Sequence, residues 1–532
     1  MQPEISWKAN SVVYHLYVRS FKDSNNDGIG DLQGIINSLH YLSKTLGVTA
    51  IWLSPIYPSP QVDFGYDIAD YKNIDQIFGT RNIFDTLIKK AHEHKIKIMM
   101  DFVPNHTSDK HKWFQESRSS KNNPKRDWYI WASPKSNGQP PNNWLSHFGG
   151  SAWALDATTG EYYLHLFNEH QPDLNWRNFL VEKEMLNILR FWMNRGIDGF
   201  RVDVPYVIYK DPLLEDEPLN SNYMEGKHDP FDMLLHTKTS WQPEFYQLMK
   251  KFTEVLQEYK GKFMVTETWT DLPGLIKTYN AAGWKYFQPF NFSLITLPWR
   301  ADIHKQYIDE YERALGDLYI PCWVLGNHDK HRVASRIGKD QARIAAMFEL
   351  TLHGISFIYY GEEIGMIDGK ISKKKVMDPY EKTSPGLDLS RDPERTPLQW
   401  DSSENAGFSN ATPWIPINKN YRKSNIATEM KDPHSFFALY QKLIRLRKEN
   451  PALSEGKYIP LFEPVENVFL FLREKDSQRV LILLNFDDKD KKISLDFKDA
   501  KILCSATMKE DNKLIDLNNF SLRGNEGYIL QL

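Results

Sequence analysis

The stretch I-D-G-F-R-V-D-V, residues 197–204, decides the fold, because it predicts a short apolar strand that ends in charged side chains. Arg201 and Asp203 stand two residues apart, so both side chains point to the same face of the strand. Charges that close an apolar run are costly unless they are paired or used. In a barrel of parallel strands, residues at the carboxyl ends of the strands form the functional rim.

Seven further runs of the same apolar character are spread along the chain, and helical patterns follow several of them. The predicted strands cover residues 12–18, 50–54, 96–102, 199–202, 263–266, 286–290, 322–325 and 356–360. Apolar residues at three-to-four spacing predict helices over residues 35–45, 83–94, 181–195, 243–258 and 340–352. Strand–helix repeats in this number and over this length predict a (β/α)8 TIM barrel rather than a doubly wound sheet.

Two regions depart from this repeat. Residues 105–175 show no clean helical pattern and are rich in Trp, Asn, Pro, Ser and Gly, so we predict an inserted small domain after strand 3. Short alternating runs within residues 457–532 predict a C-terminal antiparallel β-sandwich domain. The catalytic barrel is then expected to comprise residues 1–104 and 176–456.

The bulk composition excludes several classes of function. The chain has 532 residues and a net charge of −3, which provides no basic field for nucleic acid. Because no run approaches eighteen apolar residues and residues 1–10 carry no apolar signal segment, we expect no membrane partner and no signal peptide. Cys322 and Cys504 lie far apart in sequence, which favours the reducing cytoplasm. We expect a monomer or homodimer that acts on a neutral small molecule.

Three carboxylates and two histidines follow predicted strands at one rim. The segments are D-F-V-P-N-H (101–106), G-F-R-V-D (199–203), T-E-T-W (266–269) and L-G-N-H-D (325–329). Retaining glycoside hydrolysis needs one carboxylate as nucleophile and one carboxylic acid to protonate the leaving oxygen, about 5–5.5 Å apart. Asp203 and Glu267 end neighbouring strands and could supply this pair. Arg201 is expected to keep Asp203 ionised.

These four segments resemble the four signature regions of the α-amylase superfamily of retaining α-glycosidases, and the resemblance extends over nearly the whole chain. It implies that Asp203 is the nucleophile, that Glu267 is the general acid/base, and that Asp329 is a third carboxylate that holds sugar hydroxyls. The other implied roles are binding of hydroxyls of the same glucose by His106 and His328, and orientation of Asp203 by Arg201.

Further segments resemble the α-glucosidase and oligo-1,6-glucosidase branch of that superfamily. Q-P-D-L-N-W (171–176) is similar to the form found there, which implies that Gln171 and the nearby Phe167 line the pocket. Q-V-D-F-G-Y-D (61–67) resembles the branch's Asp-Asn-Gly-Tyr-Asp, with Phe64 where Asn is usual. By this resemblance, Asp63 holds the 4-hydroxyl of the terminal glucose and Tyr66 stacks on its ring.

The segment R-T-P-L-Q-W (395–400) resembles the branch's Arg-Thr-Pro-Met-Gln-Trp, which implies that Arg395 pairs with Asp63 and closes the pocket. A closed pocket that grips the terminal 4-hydroxyl makes the enzyme exo-acting. Val204 follows the nucleophile, and Val at this place in the branch correlates with α-1,6 linkages, whereas residues 209–218 are closer to enzymes that cleave α-1,4 bonds. We therefore expect an α-glucosidase that releases glucose from short oligosaccharides of the maltose, isomaltose or sucrose type.

The loop D-S-N-N-D-G-I-G-D (23–31) predicts a structural cation site. Oxygen donors alternate along it and a Gly stands at its sixth position, as in the first half of an EF-hand, although the twelfth-position Glu is replaced by Gly34. The branch has a similar site for Ca²⁺ or Mg²⁺. The expected ligands are Asp23, Asn25, Asp27, the carbonyl of Ile29, and Asp31.

Three other functions remain open. A transglucosylase would pass the same glucosyl group to a sugar instead of water, and a sucrose or maltose isomerase would hold the product for reattack. A non-catalytic relative would lack the catalytic carboxylates and carry a membrane anchor, whereas this chain keeps the carboxylates and shows no anchor. Free glucose released, measured against substrate consumed, separates hydrolysis from transfer.

Overall fold

The computed structural model describes residue 7 and residues 9–462, 465–497 and 499–532. The expectation about a signal peptide falls largely on residues outside these ranges. The strands are β1 (Val12–Leu16), β2 (Ala50–Leu53), β3 (Lys97–Phe102), β4 (Trp131–Ala132), β5 (Trp153–Asp156), β6 (Glu161–Leu164), β7 (Gly199–Val202), β8 (Phe263–Thr266), β9 (Phe287–Pro289), β10 (Cys322–Val324), β11 (Ile355–Tyr359), β12 (Lys457–Pro460), β13 (Val468–Lys475), β14 (Gln478–Asn485), β15 (Lys491–Ile493), β16 (Ala500–Ser505), β17 (Leu514–Ile515), β18 (Phe520–Leu522) and β19 (Gly527–Gln531).

Helices follow most of the early strands. They are α1 (Val18–Phe21), α2 (Leu32–Asn37), α3 (Arg81–Glu93), α4 (Lys112–Ser119), α5 (Phe179–Asn194), α6 (Glu244–Gln257), α7 (Leu272–Ala282), α8 (Ser293–Thr296), α9 (Ala301–Leu315), α10 (Val333–Arg336), α11 (Lys339–Thr351), α12 (Pro379–Thr383), α13 (Ile426–Glu429), α14 (Phe436–Glu449) and α15 (Pro451–Glu455).

The predicted barrel is confirmed. Eight parallel strands form one nearly closed sheet in the order β10-β11-β1-β2-β3-β7-β8-β9. Alternate residues of each strand belong to two separate cores, because successive side chains point to opposite faces. Val13, Trp52, Met99, Val265 and Phe357 belong to the inner core, and the other face packs against the surrounding helices. The strand ends are therefore fixed against one another, which a precise site requires.

Three further sheets lie outside the barrel. In the insertion between β3 and α5, the strands β4, β6 and β5 form an antiparallel sheet. At the C-terminus, a six-stranded sheet in the order β12-β13-β14-β19-β16-β17 packs with the pair β15-β18. Leu470, Leu481 and Leu530 of the larger sheet share one core with Ile493 and Leu522 of the smaller one. The predicted C-terminal β-sandwich is confirmed.

Some helix predictions were wrong. The helix predicted over residues 35–45 is interrupted, because α2 ends at Asn37 and Ser38 leaves the helical conformation with φ −101° and ψ 2°. A π-helical segment, Tyr41–Leu46, follows. The insertion contains one α-helix, α4, which the sequence reading missed and which the His111 side chain caps by accepting from the Trp113 amide. Helices α7, α9 and α14 were also missed.

In the described part of the chain, no helix combines the length and apolar composition that a membrane span requires. Both cysteines are free thiols in buried positions.

Candidate active site

Three adjacent barrel strands place carboxylates around one guanidinium at the centre of the rim. Asp101 of β3 lies beside Arg201 of β7 in register, and Glu267 follows β8. Arg201 donates from Nη1 to Asp203 Oδ1 at 2.7 Å and to Asp101 Oδ1 at 2.8 Å. Its Nη2 contacts Glu267, whose other oxygen accepts from the Trp269 indole at 2.8 Å. We call Asp101, Arg201, Asp203 and Glu267 the floor cluster.

The floor cluster has more carboxylates than cations. Burial raises the pKa of Asp203 well above its ordinary value, and Glu267 and Asp101 raise it further, while Arg201 lowers it. Burial likewise raises the pKa of Asp101 to about 6 against the opposing effect of Arg201. The expectation that Arg201 keeps Asp203 ionised stays a prediction, and the one guanidinium is shared by three carboxylates. The cluster favours holding a proton.

A second group of charges, which we call the wall cluster, lies beside it and consists of Asp63, Asp329, Asp378, Arg391 and Arg395. Arg391 donates from Nη2 to Asp63 at 2.8 Å and to Asp378 at 2.7 Å, and its Nη1 lies 3.4 Å from Asp329. Arg395 donates to Asp329 Oδ1 at 2.9 Å.

The predicted pairing of Arg395 with Asp63 is wrong. Arg391 makes that contact, because buried Asp378 holds both its backbone amide, at 2.6 Å, and its guanidinium, so that Nη2 reaches Asp63. Arg395 is fully buried behind Asp329 and also donates to the His328 carbonyl at 2.8 Å.

The wall cluster has a different charge state from the floor. Burial alone would raise the pKa of Asp329, but His328, Arg395 and Arg391 hold it well below its usual range. The pKa of Asp378 is likewise lowered, because the attraction of Arg391 outweighs the effect of burial. Asp63 is the exception, since burial raises its pKa to about 6 against the opposing effect of Arg391 and Arg395. Asp329 is thus an anion at neutral pH.

Two neutral histidines join the clusters. Tyr66 and His328 form a hydrogen bond of 2.7 Å between the hydroxyl and Nε2, and their rings stack 5.4 Å apart. Gln171 donates to Asp63 at 3.2 Å, and its Nε2 lies 3.1 Å from His106 Nε2. Burial lowers the pKa of His106 to about 4 and lowers that of His328 as well.

These groups surround a cavity of about 490 Å³, which is within the size range of small-molecule sites. Aromatic side chains form its outer wall, among them Phe148, Tyr206, Phe231, Trp269 and Tyr380. The predicted site residues on its surface are Asp63, Tyr66, His106, Phe167, Asp203, Glu267, His328 and Asp329.

Three predicted residues lie behind that surface. Arg201, Gln171 and Arg395 are at most 1% exposed, and each bonds to a carboxylate that does face the cavity. The expectation that Gln171 lines the pocket is therefore corrected: it holds the side chain of Asp63.

Two residues beside these carboxylates have a left-handed backbone. Val204, directly after Asp203, has φ +32°, which is a genuine outlier for a β-branched residue. Phe64, directly after Asp63, has φ +48°. Asn tolerates this conformation better than Phe. Phe64, which stands where the branch usually has Asn, is therefore under more backbone strain than Asn would be. The Phe64 ring packs against Trp414 at 5.2 Å.

Sequence reasoning missed two groups that organise the site. Asp101 sits within the buried run I-M-M-D-F with the same parity as Met99, and this charge in an apolar strand was its signal. Arg391 lies in an irregular loop, where no periodicity or strand end marked it.

The loop of residues 23–31 bonds largely to itself. Asp23 accepts from the Gly28 amide at 2.8 Å, Asp27 accepts from the Ile29 amide at 2.8 Å, and Asp31 caps α2 through Gly34 at 2.7 Å. Asn25 accepts from the Asp27 amide at 2.9 Å. The side-chain atoms that could bind a cation here are all oxygens, which a hard cation prefers. The three carboxylates are nevertheless not gathered, since among the described residues only His331, Asp368 and Glu394 bring three ligand atoms within 4.8 Å of one another.

Comparisons with known proteins agree with this geometry. Residues 15–456 match the family described as alpha amylase, catalytic domain. The chain is 42% identical to an α-glucosidase of Apis mellifera over 92% of this chain and 87% of that one. It is 39% identical to an oligo-1,6-glucosidase of Heyndrickxia coagulans over 91% and 92%. The crystal structure of an α-glucosyl transfer enzyme superposes with a TM-score of 0.91 at 34% identity, covering 99% of both chains.

The family match covers most of this chain, and the chain belongs to the α-amylase family. It is therefore a glycoside hydrolase, with a parallel barrel whose strand ends carry the charged groups of the site. Within that family it is a member of the α-glucosidase and oligo-1,6-glucosidase branch.

Proposed function

We propose that the cavity hydrolyses terminal α-glucosides with retention of configuration, using Asp203 as nucleophile and Glu267 as general acid/base. The observation that carries the proposal is the guanidinium of Arg201, which contacts both carboxyl groups from neighbouring strand ends. A retaining glycosidase needs two carboxyls about 5–5.5 Å apart, and contact with one shared guanidinium supports such a placement. Since the floor cluster favours one retained proton, it can present one ionised and one protonated carboxyl together.

The two steps then follow from the floor cluster. The Asp203 carboxylate bonds to the anomeric carbon as the glycosidic bond breaks, and the Glu267 proton goes to the leaving oxygen. Glu267, now ionised, takes a proton from water, whose oxygen replaces Asp203 and releases glucose. Asp329, held as an anion, stabilises the positive charge that develops on the sugar ring in both steps.

The wall cluster supports an exo-acting enzyme. Asp63, bonded by Gln171 and Arg391, would accept a hydrogen bond from the 4-hydroxyl of the terminal glucose. Tyr66 would present its ring to the sugar, while His106 and His328, both neutral at pH 7, would bind other hydroxyls of the same glucose. Because these side chains meet around one end of the cavity, the bound chain would stop there.

Transglucosylation is the second candidate, and the structural likeness to an α-glucosyl transfer enzyme favours it. The aromatic outer wall could hold a sugar acceptor in place of water, because aromatic faces cover the apolar faces of sugar rings. Hydrolysis and transfer share the first step and differ only in what attacks the glucosyl-enzyme.

A product time course tests the proposal. The purified chain, Asp203→Asn and a control variant are given maltose, isomaltose and sucrose, with products resolved by chromatography. The control is Asp232→Asn, because Asp232 is an exposed carboxylate that also borders the cavity. We expect the wild type and Asp232→Asn to release glucose, first seen by NMR as the α-anomer, and Asp203→Asn to release essentially none. A β-anomer as first product, or unchanged activity in Asp203→Asn, would refute the proposal. New oligosaccharides or sucrose isomers would assign transfer or isomerisation.

The Ca²⁺ or Mg²⁺ of the 23–31 loop stays a proposal for a structural role, and no catalytic step depends on it. Its test is the melting temperature in chelator against added Ca²⁺, with Asp27→Asn as the variant. If the ion binds, Ca²⁺ raises the melting temperature of the wild type and not of the variant. Cytoplasmic location and a monomeric or homodimeric state likewise stay predictions.

A further inference from the structure

Three loops at the rim bring an imidazole and two carboxylates to one point beside the wall cluster. His331 lies between β10 and α10, Asp368 follows β11, and Glu394 belongs to the 3₁₀ turn Pro393–Arg395. His331 Nδ1 lies 2.9 Å from Asp368 Oδ2 and 3.9 Å from Glu394 Oε2. The three ligand atoms all lie within 4.8 Å of one another.

Glu394 provides the independent sign that something is missing at this point. The residue is 2% exposed, and its Oε2 accepts no hydrogen bond. An unpartnered buried carboxylate oxygen is costly. That same atom faces His331.

The hydrogen bonds that the two nearby guanidinium groups make go to groups other than the Glu394 carboxylate. Arg332 donates through its guanidinium to the backbone carbonyls of Tyr360 and Glu394, both at 2.7 Å. Arg395 bonds to Asp329 and to the His328 carbonyl. No guanidinium therefore hydrogen-bonds to the Glu394 carboxylate among the described contacts.

We propose that His331, Asp368 and Glu394 form a binding site for a divalent transition-metal ion of the Zn²⁺ type at the wall of the pocket. Zn²⁺ binds imidazole nitrogen and carboxylate oxygen at about 2.0–2.2 Å, which in a tetrahedron separates the ligand atoms by about 3.3 Å. The separations of 2.9 and 3.9 Å lie on either side of this value. Asp368 Oδ1 accepts from the Arg332 amide at 2.9 Å, so Oδ2, which pairs with His331 Nδ1, is the oxygen that would bind the ion in place of that pairing.

The donor set distinguishes this site from the 23–31 loop. A nitrogen ligand selects Zn²⁺, Ni²⁺ or Cu²⁺ over Ca²⁺ and Mg²⁺, which take oxygen ligands. Three protein ligands leave a fourth position open for water. The His331 side chain is 45% exposed, and His331 and Glu394 border the pocket, so an ion can enter from solvent.

Calorimetric titration of the full-length chain with ZnCl2, after dialysis against EDTA and then chelator-free buffer, tests the site. We expect one Zn²⁺ per chain and at least about a tenfold loss of affinity in His331→Gln and in Glu394→Gln. The matched control is His92→Gln, because His92 Nε2 lies 2.8 Å from Asp198 in a similar pair, and no second carboxylate joins it in a three-ligand group among the described residues. We expect this control to bind like the wild type.

Co²⁺ gives a second readout that a folding defect would not imitate. Bound in place of Zn²⁺, it should show a visible absorption band that is lost in His331→Gln and in Asp368→Asn, with circular dichroism unchanged. Absence of Zn²⁺ binding by the wild type, equal binding by all variants, or equally tight binding of Ca²⁺ would each overturn the proposal. None of these outcomes depends on glycosidase activity.

Discussion

The floor cluster and the wall cluster have the same number of carboxylates and different numbers of cations. Asp101, Asp203 and Glu267 share only Arg201, whereas Asp63, Asp329 and Asp378 are served by Arg391 and Arg395. The pKa of Asp203 is accordingly raised, and those of Asp329 and Asp378 are lowered. Burial raises the pKa of carboxyl groups in both clusters, and the attraction of the guanidinium groups outweighs it at Asp329 and Asp378.

The largest effect is expected from removing the only cation of the floor. Arg201→Gln leaves three buried carboxylates without a counter-charge, which costs about 3–5 kcal/mol of stability. We expect a lower midpoint of thermal unfolding and a fall in kcat of at least about 10³-fold. Calorimetry and steady-state kinetics on maltose measure the two effects.

Arg190→Gln is the matched control for that loss. Arg190 pairs with Glu258 at 2.6 Å, but the two side chains are 34% and 43% exposed. Exposed pairs contribute about 0–1 kcal/mol, so stability and kcat should stay near the wild-type values. An equally small effect of Arg201→Gln would show that the floor needs no counter-charge.

The next effect tests which arginine of the wall serves Asp63. In a double-mutant cycle, Asp63→Asn and Arg391→Gln should couple by about 1–3 kcal/mol in kcat/KM, since the two groups bond directly. The cycle of Asp63→Asn with Arg395→Gln should couple less, because Arg395 bonds to Asp329. The reverse order of coupling would restore the pairing expected from the sequence.

Lowering the pH should weaken substrate binding by Asp63 of the wall cluster. With its pKa raised to about 6, Asp63 is ionised above that pH and protonated below it, where it loses its charge attraction to Arg391. KM of the wild type should therefore rise as pH falls from about 7 to about 5. In Asp63→Asn, KM should be high and nearly constant over that range. A wild-type KM that is flat down to about pH 5 would contradict this role of Asp63.

The smallest effect concerns linkage. Val204→Ala removes two methyl groups from the cavity wall beside Asp203, so the preference for maltose over isomaltose should rise by about tenfold or less. Val207→Ala is the control, since Val207 belongs to the same small core but does not line the cavity. Rates on the two disaccharides measure the ratio. Equal ratios in both variants would show that Val204 does not determine linkage preference.

Strand ends were predictable from the sequence, and loop contacts were not. Arg201, Asp203 and Glu267 close short buried runs whose parity and barrel position are fixed by backbone geometry. Helices α9 and α14 were missed although both are amphipathic. The partner of Asp63 depends on how the loop carrying Arg391 folds over Asp378, and no period in the sequence encodes that long-range contact. For the same reason, the meeting of His331, Asp368 and Glu394 is visible only in three dimensions.

The central claim is that Asp203 carries the glucosyl group. A slow substrate such as 5-fluoro-α-glucosyl fluoride should accumulate the glucosyl-enzyme, which proteolysis and tandem mass spectrometry can locate. We predict one adduct per chain, on the Asp203 carboxylate. An adduct on Glu267, Asp329 or any other residue, or turnover with inversion and no adduct, would contradict the account.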